Sequence, residues 1–281
     1  MKKINIKSIN IKNIKINGRK INSNMVIGAS ILLVLLVVVL VSLFYTPFDP
    51  EGMNVSLKNA KPSMTHIFGC DQFGRDTFSR VMVGIRNTFL ISVATVFIGV
   101  VFGMIIGSVC GYFGGMVDEI LMRINDALYA FPSVLLALVV ISLLGTKTTN
   151  VMIALGIAFI PSFARMVRGE YIKQKEMDYV KKARLIGASH FRIIFVHILP
   201  NITPVLLTSV IIGFNNAVLA EAGLSYLGIG VQPPDASLGR MLSESQSLLF
   251  TNPWCAIFPG LVILLLVLGF ALLSEGLSSE E

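Results

Sequence analysis

The side chains that could do chemistry are few in this sequence, and their spacing does not build a reactive site. The histidines and cysteines are His66, His190, His197, Cys70, Cys110 and Cys255. No histidine has a second one at the spacing of a metal pair, and three cysteines form an odd set without the spacing of a zinc site. We therefore predict no catalytic residue, no metal site and no disulfide framework on this chain.

The two stretches that could bind a nucleotide also fail on inspection. Lys147 stands in LLGTKTTN, which lacks the leading glycine of a phosphate-binding loop. The triplet GIG at 228–230 neither follows a predicted strand nor opens a predicted helix, as a dinucleotide fingerprint must. If the activity of this protein uses ATP, another chain must bind it.

The composition indicates a membrane protein. Of the 281 residues, 54% are hydrophobic and 14% are charged, and the mean hydropathy is +0.77. The net charge is +7, and residues 1–24 contain seven basic side chains and no acidic one. Because this excess precedes the first apolar run, it indicates a topology signal and not a nucleic-acid-binding surface. We expect no nucleic acid as a partner.

Six stretches without a charged residue are long enough to cross a bilayer. They are residues 21–48, 87–117, 127–146, 148–164, 193–220 and 245–274. A charge at the bilayer centre costs about 2.5 to 3.5 kcal/mol, and a spanning helix needs about 17 to 25 residues. The sequence therefore predicts an all-α membrane protein with six transmembrane helices.

Lys and Arg indicate the orientation of the spans. Residues 165–201, between spans 4 and 5, contain eight basic and three acidic side chains, which is the bias of a cytoplasmic loop. The segments predicted from this are a basic cytoplasmic tail over 1–24, a first transmembrane helix over 25–45, an extracytoplasmic loop over 46–87, a five-helix core over 88–275 and a short cytoplasmic tail over 276–281. The core includes a cytoplasmic loop over 168–201 and an extracytoplasmic loop over 221–255.

Small residues and one carboxylate stand out within the spans. The glycines Gly99, Gly103, Gly107 and Gly111 recur every four residues of span 2. Such a stripe lets another helix approach closely, and we favour packing within the chain over a homodimer face. Asp126, at the start of span 3, is the carboxylate nearest to mid-membrane; we favour an interfacial group that stays wet or pairs with Arg123 over a role in a permeation path.

The stretch DYVKKARLIGASHFRIIFVHILPN, residues 178–201, alternates apolar and basic residues at helical spacing. Gly187 is suited to end a first short helix in a left-handed conformation, and Ser189 to cap a second one. Pro200 either ends that second helix or begins span 5. The pattern predicts two short helices joined by a turn. A basic helix held at the membrane surface by anionic lipid remains an alternative.

This stretch resembles the cytoplasmic coupling loop of binding-protein-dependent ABC importer permeases. The family motif is Glu-Ala-Ala, three residues, Gly, about nine residues and Ile-x-Leu-Pro, and the positions that match it are Ala183, Gly187, Leu199 and Pro200. The motif positions occupied by other residues are Lys181, Lys182 and His197. Residues 66–92 (HIFGCDQFGRDTFSRVMVGIRNTFLIS) and 220–242 (AEAGLSYLGIGVQPPDASLGRML) are similar to segments of the dipeptide/oligopeptide/nickel branch.

The resemblance implies a set of partners in the bacterial cytoplasmic membrane. These are a homologous second permease, two cytoplasmic ABC ATPase subunits that bind ATP and Mg²⁺, an extracytoplasmic solute-binding protein and membrane lipid. The coupling residues that it implies are Asp178, Ala183, Gly187, Ala188, Ser189, Leu199 and Pro200. The residues that it places in a loop facing the binding protein are Leu224, Gly228, Pro233, Pro234 and Trp254.

The function that the resemblance implies is ATP-driven import of di- or oligopeptides. Nickel or a metal chelate remains the alternative cargo within the same branch. An ATPase-independent channel or a lipid-binding membrane protein is the alternative from another class. For the apolar half of the 221–255 loop, a structural re-entrant loop is the alternative to a docking surface.

Overall fold

The computed structural model describes residues 14–16, 19–21 and 23–278, so most of the predicted basic tail and residues 279–281 lie outside the described residues. The helices are α1 Ser23–Val41, α2 Thr77–Phe113, α3 Gly115–Tyr129, α4 Ser133–Leu144, α5 Thr148–Lys175, α6 Asp178–Leu185, α7 His190–Arg192, α8 Leu199–Tyr226, α9 Leu238–Ser245 and α10 Trp254–Ser278. Short 3-10 helices cover Val55–Leu57 and Gln246–Leu248, and a π-helical turn covers Ile193–Ile198. Strands β1 Ile14–Ile16 and β2 Arg19–Ile21 form an antiparallel pair before α1.

Five helices of the described chain are long and apolar enough to cross a membrane. They are α1, α2, α5, the continuous helix His190–Tyr226 that contains α8, and α10. A sixth span results if α3 and α4, which meet at an angle of 89°, are counted as one broken span. The all-α membrane fold is confirmed, and span 3 is the one that differs from a simple crossing helix.

Pro132 explains the bend between α3 and α4. Proline has no N–H to donate, and its ring disfavours the helical conformation of the residue before it, here Phe131. The chain therefore leaves the helix after Tyr129 and begins α4 at Ser133. The charge-free window over 127–146 had predicted one continuous span there.

Two helices extend past the boundaries that charge-free windows predict. The N-terminus of α2 lies at Thr77, within the predicted 46–87 loop, because the Asp76 side chain caps it by accepting a hydrogen bond from the Ser79 N–H at 2.8 Å. Helix α5 continues to Lys175, well past Arg165. Charged residues end a hydrophobic window, but they do not end a helix.

The glycine stripe of α2 packs against α5 of the same chain. An ideal Cβ at Gly103 would lie 2.5 Å from Phe163 Cβ, and one at Gly107 would lie 2.5 Å from the Ala164 carbonyl oxygen. Gly99 and Gly111 face Phe159 and Tyr171 in the same way, at 3.1 and 2.6 Å. The stripe thus has the intramolecular partner that the sequence analysis favoured.

The core lies where α2, α5 and α8 meet, with α1 and α10 packed beside them. Fully or almost fully buried members of this core are Ile85, Ile91, Val151, Leu155, Phe163, Ala217, Leu224 and Leu266. A second cluster of Tyr112, Val167, Tyr171, Val180, Ile193, Ile194, Ile198 and Ile202 joins the far ends of α2 and α5 to the segment 178–202. At 1.5 Å per residue, α2 is about 55 Å long and connects the two ends of the molecule.

Candidate functional site

The coupling segment, which we define as residues 178–200, begins with α6 and a sharp turn. Gly187 has φ = 84°, in the left-handed region that the sequence predicts. The Gly187 N–H donates to the Arg184 carbonyl oxygen and the Ala188 N–H donates to the Ala183 carbonyl oxygen, both at 3.0 Å. These two bonds form a Schellman motif, in which glycine is favoured because a left-handed residue with a Cβ is strained.

Ser189 caps the helix that follows the turn. Its Oγ accepts a hydrogen bond from the Arg192 N–H at 3.3 Å, which is the role of an N-cap serine. Asp178 begins α6 and is exposed, so its carboxylate lies at the positive end of that helix dipole. Ala183, Gly187, Ala188 and Ser189 therefore form one local structure.

The expectation of a separate second short helix is wrong. Helix α7 passes through the π-helical turn at 193–198 into α8, and His190–Tyr226 is one continuous helix. The Leu199 N–H donates to the Ile194 carbonyl oxygen across the wider turn. Pro200 lies in the first turn of α8 and cannot donate to the carbonyl four residues earlier, and a π turn accommodates that missing bond without ending the helix.

Buried contacts join the coupling segment to the ends of α2 and α5. Val180 is fully buried against Tyr171, and the Tyr171 hydroxyl donates to the Ile194 carbonyl oxygen at 3.1 Å. The Tyr112 hydroxyl lies 2.8 Å from His190 Nδ1. The segment is therefore packed directly against the ends of α2 and α5. The sequence analysis did not identify Tyr112 and Tyr171. The pattern that could have indicated them is an aromatic residue near the end of each of the two long helices.

The outer face of the coupling segment is apolar and unusually exposed. Leu185 and Ile186 are each 87% exposed and Phe191 is 73% exposed. They flank Gly187, where an added Cβ would meet no atom within 4 Å. A cavity of about 560 Å³ lies beside the turn. Exposed apolar residues around a rigid turn are typical of a surface that binds another protein.

Ion pairs connect α3 to α5. Arg168 forms a two-pronged pair with Asp118, at 2.5 Å from Nε to Oδ1 and 2.6 Å from Nη2 to Oδ2. The Asp126 side chain is 58% exposed, as expected of an interfacial carboxylate, and it pairs with Arg165 at 2.6 Å. The alternative expectation, a pair with Arg123, is wrong, because Arg123 pairs with Glu119 one helical turn away. The partner of Asp126 comes from another helix, which the spacing along α3 could not reveal.

The other end of α2 carries a cluster of charged groups. Arg75 donates to Asp71 at 2.6 Å and to Glu244 of α9 at 2.8 Å. Arg80 is almost fully buried and lies 3.3 Å from the same Glu244 carboxylate. Buried charges need such partners, since an unpaired one would be strongly destabilising. The cluster ties the segment before α2 to the 221–255 loop.

His66, Cys70 and Asp76 lie together in this region, although the sequence predicts no metal site. Their potential ligand atoms are within 4.8 Å of one another. Hydrogen bonds within the protein already engage His66 and Asp76. His66 Nδ1 lies 2.9 Å from Asp76 Oδ1, and Asp76 Oδ2 caps α2. Burial, with the nearby Asp76 and Asp71 carboxylates, raises the pKa of Cys70 to about 11. The thiol is therefore protonated at neutral pH.

The residues expected to face a binding protein divide into two groups. Pro233 and Pro234 are exposed, and they line a cavity of about 350 Å³ together with Phe73, Arg75 and Arg240. Trp254, the first residue of α10, is 39% exposed, and Gly228 adopts φ = 82° in the turn that follows α8.

The expectation that Leu224 faces a binding protein is wrong. Leu224 is fully buried in the core, because α8 continues to Tyr226 and turns this side chain inward. It therefore presents no surface to a partner.

The last turns of α8 and the residues that follow it pack against α2 through polar contacts. The Thr88 and Ser225 hydroxyls donate to the Glu221 carboxylate at 2.8 and 2.6 Å. The Asn87 amide donates to the Ala236 carbonyl oxygen at 2.8 Å. This half of the loop is thus packed within the protein, whereas Pro233 and Pro234 remain at its surface.

Together, the bundle of apolar spans and the packed coupling segment define a membrane-embedded transport subunit. Residues 83–279 match the family described as the inner membrane component of binding-protein-dependent transport systems, and the chain belongs to that family. It is 40% identical over 256 residues to the glutathione transport system permease protein GsiD of Escherichia coli O157:H7, covering 90% of this chain and 84% of that protein.

Two further comparisons agree with this assignment. The chain is 36% identical over 253 residues to the dipeptide transport system permease protein DppC of Alkalihalophilus pseudofirmus, covering 90% of this chain and 82% of that protein. The structure resembles a chain of the inward-facing MetNI methionine ABC transporter with a TM-score of 0.53 and 19% identity, covering 70% of this chain and 96% of that one. The structural likeness shows the fold. The protein is an ABC importer permease of the peptide/nickel branch.

Proposed function

We propose that this chain is a permease subunit that imports short peptides, of the size of a dipeptide or glutathione, at the expense of ATP hydrolysed by other chains. Its relatives are named for glutathione and dipeptide transport. In the proposed assembly it pairs with a homologous second permease, two cytoplasmic ABC ATPases that bind ATP and Mg²⁺, and an extracytoplasmic binding protein. Membrane lipid surrounds the spans.

The observation that carries this proposal is the coupling segment. Its Schellman turn presents exposed Leu185, Ile186 and Phe191, while its inner face is buried against the ends of α2 and α5. A surface that docks into an ATPase must be accessible on one side and rigidly attached on the other, because only then does ATPase closure move the spans. In this mechanism the displaced segment pulls α2 and α5 together and switches the permease between inward-open and outward-open states.

The proposal is tested by reconstituting the co-expressed complex in proteoliposomes with its binding protein. We expect the ATPase to co-purify in mild detergent, and we expect uptake of glutathione or a dipeptide to require ATP. Mass spectrometry of the ligand carried by the native binding protein identifies the cargo independently. Uptake that persists without the ATPase would instead indicate a channel, and a binding protein that carries only nickel would exclude peptide as the cargo.

The proposed orientation has the N-terminus, the coupling segment and the C-terminus in the cytoplasm, and Lys147 and the 221–255 loop outside. We expect Ser189→Cys, on the exposed turn, to react with an impermeant maleimide only after the cells are permeabilised. Native Cys70 and Cys255 are buried, so wild-type cells should show little labelling on either side. Labelling of Ser189→Cys in intact cells would contradict this orientation.

A further inference from the structure

A cavity of about 670 Å³ lies at the bend between α3 and α4. Helices α5 and α8 form its other walls, and its polar side chains are Tyr129, Ser133, Ser162 and Asn216. None of its lining residues, all within the described range, is acidic, basic or histidine. It is distinct from the cavity beside the coupling segment and from the one beside Pro233.

The bend lies at membrane depth. Helix α4 has 12 residues and is about 18 Å long at 1.5 Å per residue, whereas the hydrocarbon layer is about 30 Å thick. The irregular backbone at 130–132 therefore falls inside the hydrocarbon layer when the far end of α4 is at its edge. Ser162, fourteen residues into α5 from Thr148, lies at a similar depth of about 21 Å.

This irregular backbone is exposed in the single chain. Ala130, Phe131 and Pro132 are all exposed, and α4 begins without a side-chain cap, so its first N–H groups have no partner within the helix. Backbone of this kind does not face lipid, because each unsatisfied N–H or C=O would cost several kcal/mol there; it must be covered by protein or line a water-filled path.

The cavity's polar side chains favour the water-filled path over a dry contact between subunits. Ser162 and Asn216 are exposed, and the Asn216 amide has no hydrogen-bond partner among residues 23–278. A dry interface would leave that amide desolvated and unpaired, which is unfavourable. Water or a hydrogen-bonding cargo satisfies it.

We propose that this cavity is a binding site on the translocation path of the cargo. Neutral groups around Asn216 and Ser162 form hydrogen bonds there with the backbone of a short peptide. The Asn216 amide can both donate to and accept from a peptide bond, whereas the Ser162 hydroxyl, which donates to the Phe159 carbonyl oxygen at 2.9 Å, can accept from one. A bare divalent cation would instead need carboxylate, imidazole or thiolate ligands, which this lining does not provide. The inference rests on the proposed function for the direction and energy of transport and adds the location and chemistry of the path.

Ion pairing beside the cavity marks one of its edges. The Arg165 guanidinium lies 4.0 Å from the centre of the Tyr129 ring while it pairs with Asp126. Both charged side chains are about half exposed, and neither lines the cavity itself. Asp126, which the sequence analysis treated chiefly as an interfacial carboxylate, thereby borders the path through a pair with α5.

The first test measures water access without requiring transport. In the assembled complex, Asn216→Cys and Ser162→Cys are treated with a cationic, membrane-impermeant methanethiosulfonate in inside-out vesicles. The matched control is Val34→Cys, because Val34 is 63% exposed on α1, a helix without a charged residue. A thiol reacts as the thiolate, which forms in water and not in lipid, so we expect both cavity positions to react at least about tenfold faster than the control.

The second test measures the hydrogen-bonding role of the path. Asn216→Leu should lower ATP-driven glutathione or dipeptide uptake severalfold, while the ATPase activity stimulated by the binding protein is retained. Asn216→Gln, which keeps an amide, should restore part of the uptake.

The outcomes separate this inference from the proposed function. A wild-type complex that imports peptide while neither cavity cysteine reacts would overturn the path and leave the proposed function intact. Reactive cavity cysteines in a complex that imports Ni²⁺ but no peptide would overturn the cargo chemistry.

Discussion

Gly187→Val should strongly reduce the ATPase activity that loaded binding protein stimulates, without lowering the amount of protein in the membrane. At φ = 84° a residue with a Cβ is strained by about 1 to 2 kcal/mol, and a β-branched one is strained most. An energy of this size changes an equilibrium about five- to thirtyfold. We therefore expect the stimulated ATPase activity to decrease by a factor of about five to thirty. Gly187 lies outside the apolar spans and an added Cβ meets no neighbour, so folding of the bundle should not suffer.

Two further variants identify the cause. Asparagine tolerates a left-handed conformation, so Gly187→Asn should retain much of the activity if backbone strain is responsible and lose it if added bulk blocks an ATPase groove.

Replacing both exposed lysines of α6, Lys181 and Lys182, by Gln should cause only a mild defect. If the lysine variant lost its stimulated ATPase activity while Gly187→Val kept it, the segment would be a membrane-surface anchor held by anionic lipid.

Gly107→Ala should destabilise the permease, although alanine is normally the better helix former. The new Cβ would lie 2.5 Å from the Ala164 carbonyl oxygen and 2.8 Å from Val167 Cβ, and the carbonyl cannot move without displacing α5. Overpacking of this kind costs about 1 to 3 kcal/mol, so the melting temperature of the complex in detergent should fall by about 2 to 10 °C.

The matched control is Gly169→Ala on α5. Gly169 is also helical, but an added Cβ there meets nothing within 4 Å. The same chemical change should therefore stabilise the helix by up to about 1 kcal/mol through propensity alone. Equal melting temperatures for the two variants would show that α2 and α5 are not held at the close distance that the structure describes.

Several features of this protein could be read from the sequence because they depend on neighbouring residues. The apolar windows follow from the cost of placing charge in a bilayer, and they identified the membrane class and the spans. Gly187 and Ser189 are local signals, since a left-handed turn and an N-cap each involve only a few consecutive residues. The four-residue spacing of glycines likewise places them on one helix face whatever the rest of the chain does.

Sequence patterns were less informative wherever a continuous helix can absorb a disruptive residue. Pro132 breaks span 3 by 89°, whereas Pro200 is accommodated by a π turn inside the helix His190–Tyr226. Both are prolines in apolar surroundings. The neighbouring helices determine which disruption is tolerated, because they supply or withhold partners for the freed backbone groups.

By itself the sequence determined that this is an all-helical membrane protein with a glycine turn in a basic segment, since hydrophobicity, charge and turn chemistry are properties of local residues. The permease class came from the resemblance of three motifs to a known family. Only the tertiary structure decided that Arg75 pairs with Glu244, 169 positions away, that Asp126 pairs with Arg165, and that Tyr112 meets His190. It also decided that α3, α4, α5 and α8 together line an uncharged cavity at the bend between α3 and α4. These features join residues that are distant along the chain, and no local pattern records which helix faces will meet when the apolar surfaces pack.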